Sequence, residues 1–201
     1  LNLSERQLSS LARFGSGSAC RSIPGGFVEW VAHPQTGETY AASIAPPEHW
    51  SLVDCIAIID KDHKAIGSEA GMRSAITSPY QKARIEDASR RLELCRSAIL
   101  ERNFDALSAI TELDSNMMHA VMMTSNPPLY YWHPASLAVM SAVKSWQKEG
   151  FPVTFTVDAG PNVHVITPKP NADGVITRLQ HIEGVLEVLS GEPGGPAHNV
   201  V

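Results

Sequence analysis

Two kinds of apolar spacing divide this chain, and the switch between them limits what it can become. Between residues 85 and 121 the apolar positions recur every three or four residues: Ile85, Ala88, Leu92, Cys95 and Ile99, then Leu107, Ile110, Leu113, Met117 and Val121. That period belongs to amphipathic helices, and Asn103 splits the stretch into two. Short β-branched runs flank it, at 52–59 before and at 153–157 and 163–167 after. Runs of that length read as strands, the later two joined by a turn through Asp158-Ala159-Gly160-Pro161-Asn162. A third helix starts at His133-Pro134, carries Leu137, Met140, Val143 and Trp146 on its apolar side, and stops at Gly150. A last helix is expected over 174–189. Strands mixed with helical pairs predict an α+β fold, an antiparallel sheet with helices packed on one face.

The first fifty residues read differently. Ser4 and Gln7 form a capping box with Leu3 and Leu8 at the staple positions, so a helix opens there, with Leu8, Leu11 and Ala12 on one face and an end at Gly15. Residues 27–31 and 39–44 read as a hairpin turning through Pro34-Gln35-Thr36-Gly37. Pro46-Pro47 then breaks the pattern. Three parts follow: 1–50, an α+β sandwich over 51–190, and a flexible Gly/Pro-rich tail over 191–201. Residues 61–71 read as a polar loop, and Ser78-Pro79 as a helix start.

The chain's 201 residues are 43% hydrophobic, enough for a sizeable core. A net charge of −5 makes nucleic acid an unfavourable partner. No apolar run approaches the roughly 18–20 residues a membrane span needs, and the first residues lack a signal-peptide pattern. Cys20, Cys55 and Cys95 are odd in number and widely spaced, which points to a reducing, cytoplasmic setting rather than a disulfide framework or a zinc site. The eight histidines show no paired helical spacing for a metal. His119 reads as a partly buried, hydrogen-bonded helix residue.

Chemistry concentrates in three places. Gly15-Ser16-Gly17-Ser18-Ala19-Cys20-Arg21-Ser22 keeps side chains small, offers the hydroxyls of Ser16 and Ser18, and adds the planar fork of Arg21, which suits a carboxylate or phosphate. Its glycines tolerate positive φ. The same residues equally describe a plain surface loop with a solvated arginine. Asp158 follows a strand and precedes a glycine turn, so its carboxylate can face a cleft, or can cap the turn through its own backbone. Gly67-Ser68-Glu69-Ala70-Gly71-Met72-Arg73 can wall a pocket with Arg73 toward an anion, or can be an ordinary connector.

Taken in order, those segments with Gly25-Gly26-Phe27-Val28-Glu29-Trp30, Ser115-Asn116-Met117-Met118-His119-Ala120, Pro127-Pro128 and Phe155-Thr156-Val157-Asp158-Ala159-Gly160-Pro161-Asn162 closely resemble the mevalonate diphosphate decarboxylase family. That family sits in the superfamily of galactokinase, homoserine kinase, mevalonate kinase and phosphomevalonate kinase. The resemblance runs from residue 1 to about 168. It implies ATP-dependent phosphorylation of a tertiary hydroxyl, then loss of phosphate and CO₂ from 5-diphosphomevalonate to give isopentenyl diphosphate. It also implies Asp158 and Arg21 as catalytic groups, Ser16, Ser18, Arg21, Ser68 and Met72 at the substrate, and ATP with Mg²⁺ as co-reactants. Homodimers are common in the family. Its opening strands, substrate lysine and nucleotide loop have no counterpart here, so 1–50 is expected to be a remnant of the N-terminal substrate and nucleotide domain. The missing N-terminal part is then a partner, and turnover by this stretch alone is expected to be weak or absent. Glu69 stands where some relatives carry Arg or Thr and would repel a diphosphate, so a phosphomevalonate decarboxylase stays open. A mevalonate 3-kinase and an inactive binding or assembly fragment are the remaining alternatives.

Overall fold

The structure, a computed structural model, describes residues 3–33, 36–61 and 68–198, the side chains of 68–70 excepted. The chain divides into two units, Leu1–Ser51 with Glu192–Val201, and Leu52–Gly191.

The first unit begins as its capping residues dictate. Helix α1 (Glu5–Ala12) is closed by Ser4, whose Oγ accepts from the Gln7 N–H at 3.3 Å while the Ser4 N–H donates to Gln7 Oε1 at 2.9 Å. It ends at Ala12, before Gly15. The expected apolar face is not buried: Leu8 and Leu11 are exposed, and the buried residue of α1 is Ser9. Strands β1 (Phe27–Ala32) and β2 (Thr39–Ala45) pair antiparallel, with Trp30 opposite Ala41 and Ala32 opposite Thr39. Pro34 and Gln35 of the expected turn lie outside the described residues. Arg6 pairs with Glu38 and lies 4.1 Å over the Tyr40 ring. Residues 192–198, expected within a flexible tail, are tied back to this unit: Gly26 N–H donates to Gly194 O at 2.8 Å and Ala197 N–H to Ile23 O at 2.9 Å. A Cβ on Gly25 would stand 2.6 Å from the Pro196 nitrogen.

The second unit is built on a four-stranded antiparallel sheet. Its strands are β3 (Leu52–Ile58), β4 (Thr154–Val157), β5 (Val163–Pro168) and β6 (Glu187–Gly191), in the order β4-β5-β3-β6. Period-two alternation sends Val53, Cys55 and Ala57 of β3 and Val163 and Val165 of β5 to one face. There they meet Val139, Val143 and Trp146 of α6 (Pro134–Lys148) and Val175 and Leu179 of α7 (Ala172–Gln180). Each such buried aliphatic side chain contributes about 1.5–3 kcal/mol, and this layer is the α+β arrangement the spacing predicts. Burial pushes the Cys55 thiol up to about 11, and no disulfide forms among the described cysteines.

The described elements between β3 and α6 are helices, with two departures from expectation. Part of the expected loop 61–71 is helix α2 (Ser68–Ala75), whose Ala70, Met72 and Ala75 are good helix formers. The expected long helix breaks at Asp87 into α3 (Gln81–Glu86) and α4 (Ala88–Glu101). Asp87 accepts from Arg90 at 2.6 and 2.9 Å and from Arg91 at 3.0 Å, which pulls its carboxyl down to about 2. After a left-handed Arg102, Asn103 caps α5 (Phe104–Met123) by accepting from the Ala106 N–H at 3.0 Å. No helix among the described residues is long and apolar enough to cross a membrane.

The expected last helix, 174–189, stops at Gln180. Its cap, His181, stays right-handed, and Gly184 takes φ +88° in the turn that follows; the Leu186 N–H then donates to Ile58 O at 2.8 Å, starting β6 along β3. A Cβ on Gly184 would meet Ala135 Cβ at 2.7 Å. Gly184→Ala therefore combines left-handed strain with a backbone-anchored clash, and is expected to cost at least about 2 kcal/mol, read as a lower urea midpoint with an unchanged m-value.

Candidate functional site

In the first unit, the Gly/Ser loop leaves α1 by a tight turn. Phe14 N–H donates to Leu11 O at 3.0 Å, and the Gly15 and Ser16 amides donate to Ala12 O at 3.1 and 3.3 Å. A 3₁₀ turn over Ala19–Ser22 follows, with Arg21 N–H donating to Ser18 O at 3.1 Å. Ser9 fastens this loop from beneath: its Oγ donates to Cys20 O at 2.9 Å and accepts from the Ala41 N–H at 2.8 Å. The sequence reading missed Ser9, because a serine on the apolar side of a short helix looks like a defect until its partners are known. Neither Gly15 nor Gly17 uses positive φ. Their value is openness instead, and a Cβ on Gly17 would touch nothing within 4 Å. The Ser16 and Ser18 hydroxyls lie 3.4 Å apart, and Ser16, Ser18 and Arg21 are all exposed. The structure thus brings these three together on one loop.

In the second unit, Asp158 is exposed immediately beyond the last residue of β4. The turn is held by its backbone, Gly160 N–H donating to Asp158 O at 2.8 Å, and not by its carboxylate. The preceding residue is gripped by α5. Val157 N–H donates to Ser115 Oγ at 3.0 Å, and Val157 O lies 3.0 Å from His119 Nε2 and 3.3 Å from Ser115 Oγ. A carbonyl only accepts, so Nε2 carries the proton. His119 is 1% exposed, its ring tilted against Trp132 at 4.6 Å and edge-on to Tyr131 at 6.0 Å. Burial holds its pKa below the ordinary histidine range, against smaller upward contributions from the Val157 bond and the Asp158 charge. In the sequence Ser115 is one residue of the stretch Ser115–Ala120, and its partner becomes visible only with β4 beside it.

Helix α2 carries the third candidate segment. Met72 is 65% exposed, and Arg73 is exposed in the last turn. Ser68 opens the helix, its side chain and that of Glu69 lying outside the described residues. Gly71 is buried against Tyr131, and a Cβ there would stand 2.5 Å from Tyr131 Oη.

This layout is matched in known proteins. Residues 55–190 match the mevalonate 5-diphosphate decarboxylase C-terminal domain, and residues 1–43 the diphosphomevalonate decarboxylase-like N-terminal domain. The chain belongs to the mevalonate diphosphate decarboxylase family. The diphosphomevalonate decarboxylase of Ganoderma lucidum is 36% identical over 200 residues, covering 94% of this chain and 48% of the relative. Mevalonate diphosphate decarboxylase from Staphylococcus aureus superposes with a TM-score of 0.89 at 31% identity, over 97% of this chain and 60% of that one. A solved structure described as MDDEF in complex with MVAPP, AMPPCP and magnesium superposes with a TM-score of 0.86 at 35% identity, over 97% and 60% of the two chains. The chain spans about half the length of the curated relatives it matches. Within the decarboxylase family's C-terminal domain, Asp158 and the α5 residues that flank it belong to one matched segment.

Two outcomes follow from this geometry. A histidine kept neutral by burial binds a proton more readily in the unfolded chain, so stability holds above its unfolded pKa of about 6.5 and falls as pH drops below it. Urea midpoints taken from pH 7.5 to 5.0 should decline with a slope from this group of at most about 1.4 kcal/mol per pH unit, and His119→Gln should flatten that decline. Separately, Gly71→Ala should destabilise by about 1–3 kcal/mol through overpacking against the tyrosine hydroxyl. Tyr131→Phe should recover part of that loss in the double variant, and thermal unfolding of the four proteins measures it.

Proposed function

We propose that this chain contributes Arg21 and Asp158 to the ATP-dependent decarboxylation of 5-diphosphomevalonate to isopentenyl diphosphate. The observation that carries the reading is Asp158: a carboxylate spent on no hydrogen bond among the described residues, at the end of a strand whose last peptide is held in place. In the reaction, a phosphoryl group moves from ATP to the 3-hydroxyl. The C–O bond to that phosphate and the bond to the carboxyl carbon then break, releasing phosphate and CO₂ and leaving a double bond. Asp158 orients the hydroxyl and takes its proton, a role worth about 10²–10⁴-fold, and its charge relieves positive charge building at the same carbon. Arg21 holds the substrate carboxylate through two parallel N–H bonds. Ser16, Ser18 and Ser68 donate to carboxylate or phosphate oxygens, and Met72 packs against the carbon skeleton.

ATP is the co-substrate, and Mg²⁺ accompanies its phosphates. Among the described residues no cluster of three or more His, Cys, Asp or Glu could hold a metal ion. We therefore assign no residue of this chain to Mg²⁺ or to the nucleotide. A cytoplasmic setting agrees with three cysteines that form no disulfide among the described residues. A homodimer is supported by exposed Ile85, Leu92 and Leu100 on α3 and α4.

The first unit also argues for a further polypeptide partner. No Leu, Ile, Val, Phe or Trp among its described residues is buried; its buried apolar side chains are the small ones of Cys20, Pro24, Ala41 and Ala45. A two-stranded sheet with so little core is not stable alone, and Leu8, Leu11 and the 89% exposed Phe14 offer a surface to be covered. The N-terminal part that family members carry fits that need.

The test is a substrate panel on the full-length gene product, using mevalonate, its 5-phosphate and its 5-diphosphate, each followed for ADP and CO₂. Release of both from the diphosphate is expected. Preference for the monophosphate would favour the reading that Glu69 suggests, and ADP without CO₂ would mark a 3-kinase. Asp158→Asn should lower kcat by at least about 100-fold, and Arg21→Lys should cost about 10–100-fold because the bidentate fork is lost. The 201-residue chain by itself should turn over weakly or not at all, and added N-terminal half of a family member should raise CO₂ release and shift its sedimentation.

A further inference from the structure

We propose that Ser115 and His119 are positioning residues that set the direction of the Asp158 carboxylate, by gripping the peptide unit that carries it. The inference rests on the reading of Asp158 as the reacting carboxylate.

The argument begins with an exposed edge. In the order β4-β5-β3-β6, strand β4 has a neighbour on one side only, so alternate amides and carbonyls face outward. Those of Val157 are met by side chains rather than by another strand. Just before β4, Gln147 of α6 donates from Nε2 to Val153 O at 2.8 Å, and at its start the Thr154 side chain donates from Oγ1 to Glu112 Oε1 at 3.1 Å. Ser115 and His119 take the N–H and C=O of Val157. On α5 the residues Glu112, Ser115 and His119 stand at steps of three and four, so they form one row along the helix, and all three are buried.

The last two members of the row bear on Asp158 directly. The carbonyl of Val157 belongs to the peptide plane that ends at the Asp158 Cα. Two bonds to that carbonyl hold this plane, a bond from the Val157 amide to Ser115 Oγ holds the plane before it, and the Gly160–Asp158 bond closes the turn beyond. What remains free in Asp158 is its side-chain torsions. The grip is stiff, because the His119 ring is itself wedged against Trp132 and Tyr131. Covering an edge needs only that its polar groups be satisfied. Two groups converging on the one peptide that precedes the carboxylate do more, since displacing a reacting group by about 1 Å can cost about 10²-fold in rate.

The experiment compares Ser115→Ala, His119→Leu, His119→Gln and Asp158→Asn in the full-length gene product, by steady-state release of CO₂ from 5-diphosphomevalonate and by amide exchange at Val157 and Asp158. Ser115→Ala and His119→Leu are expected to lower kcat about 10- to 100-fold with KM within threefold of wild type, and to speed exchange at Val157 at least tenfold while Val143 and Val165 stay protected. His119→Gln, whose side-chain amide can donate to the same carbonyl, should recover most of the lost kcat. Unchanged kcat in Ser115→Ala and His119→Leu, or a loss that appears only in KM, overturns the proposal while leaving the Asp158 reading intact if Asp158→Asn is inactive. Full turnover by Asp158→Asn, or none by the wild type, removes the Asp158 reading and the proposal with it.

Discussion

An unpaired sheet edge has to be finished somehow, and in this chain the way it is finished governs the rest of the second unit. Strand β4 is short and has β5 on one side only. Water or a foreign strand could take its outward groups. Instead α5 packs against it and presents buried polar side chains to its last residue. This choice explains why a twenty-residue helix spends Ser115 and His119 on buried positions, while the buried Glu112 beside them takes the side chains of Thr154 and Gln147. It also explains why α5 contributes no residue to the main core, which is left to α6 and α7 over the sheet. Burying polar groups is costly unless each finds a partner, and here each does: Glu112 also accepts from Lys144 Nζ at 2.8 Å.

Much of this fold was legible from spacing. The two strand runs bracketing a helical stretch, the capping box at Ser4, the stop at Gly150 and the α+β class all follow from local chemistry that survives in the folded chain. The failures have a common cause. Helix α2 and strand β6 are short, mixed in composition, and decided by what they pack beside. Gly71 is tolerated because Tyr131 needs the space, and β6 forms because Leu186 and its successors find the free side of β3. Residues 187–189 continue the helix-like pattern expected from 174 onward, yet the chain leaves the helix at Gln180, turns through the left-handed Gly184 and pairs with β3.

The candidate site divides the same way. Arg21, Ser16, Ser18 and Asp158 were visible because small residues, a guanidinium and a carboxylate announce themselves in a sequence. The residues that hold them were hidden. Ser9 and Ser115 are ordinary serines until Cys20, Ala41 and Val157 stand next to them. His119 was readable as a hydrogen-bonded helix residue, but its near-complete burial and its partner depend on a strand 38 positions away. Groups that touch ligands are chosen for their chemistry, whereas groups that orient them are chosen for location, and location is what a sequence withholds longest.

The backbone bonds from Gly26 to Gly194 and from Ala197 to Ile23 make the first unit discontinuous in sequence. Its two pieces flank residues 52–191, which form a contiguous unit of sheet and helices. Bringing such distant pieces together costs loop-closure entropy, and that cost is reduced once the stretch between them has folded. The seam at Gly26 and Ile23 is therefore the long-range, late-closing contact of this chain.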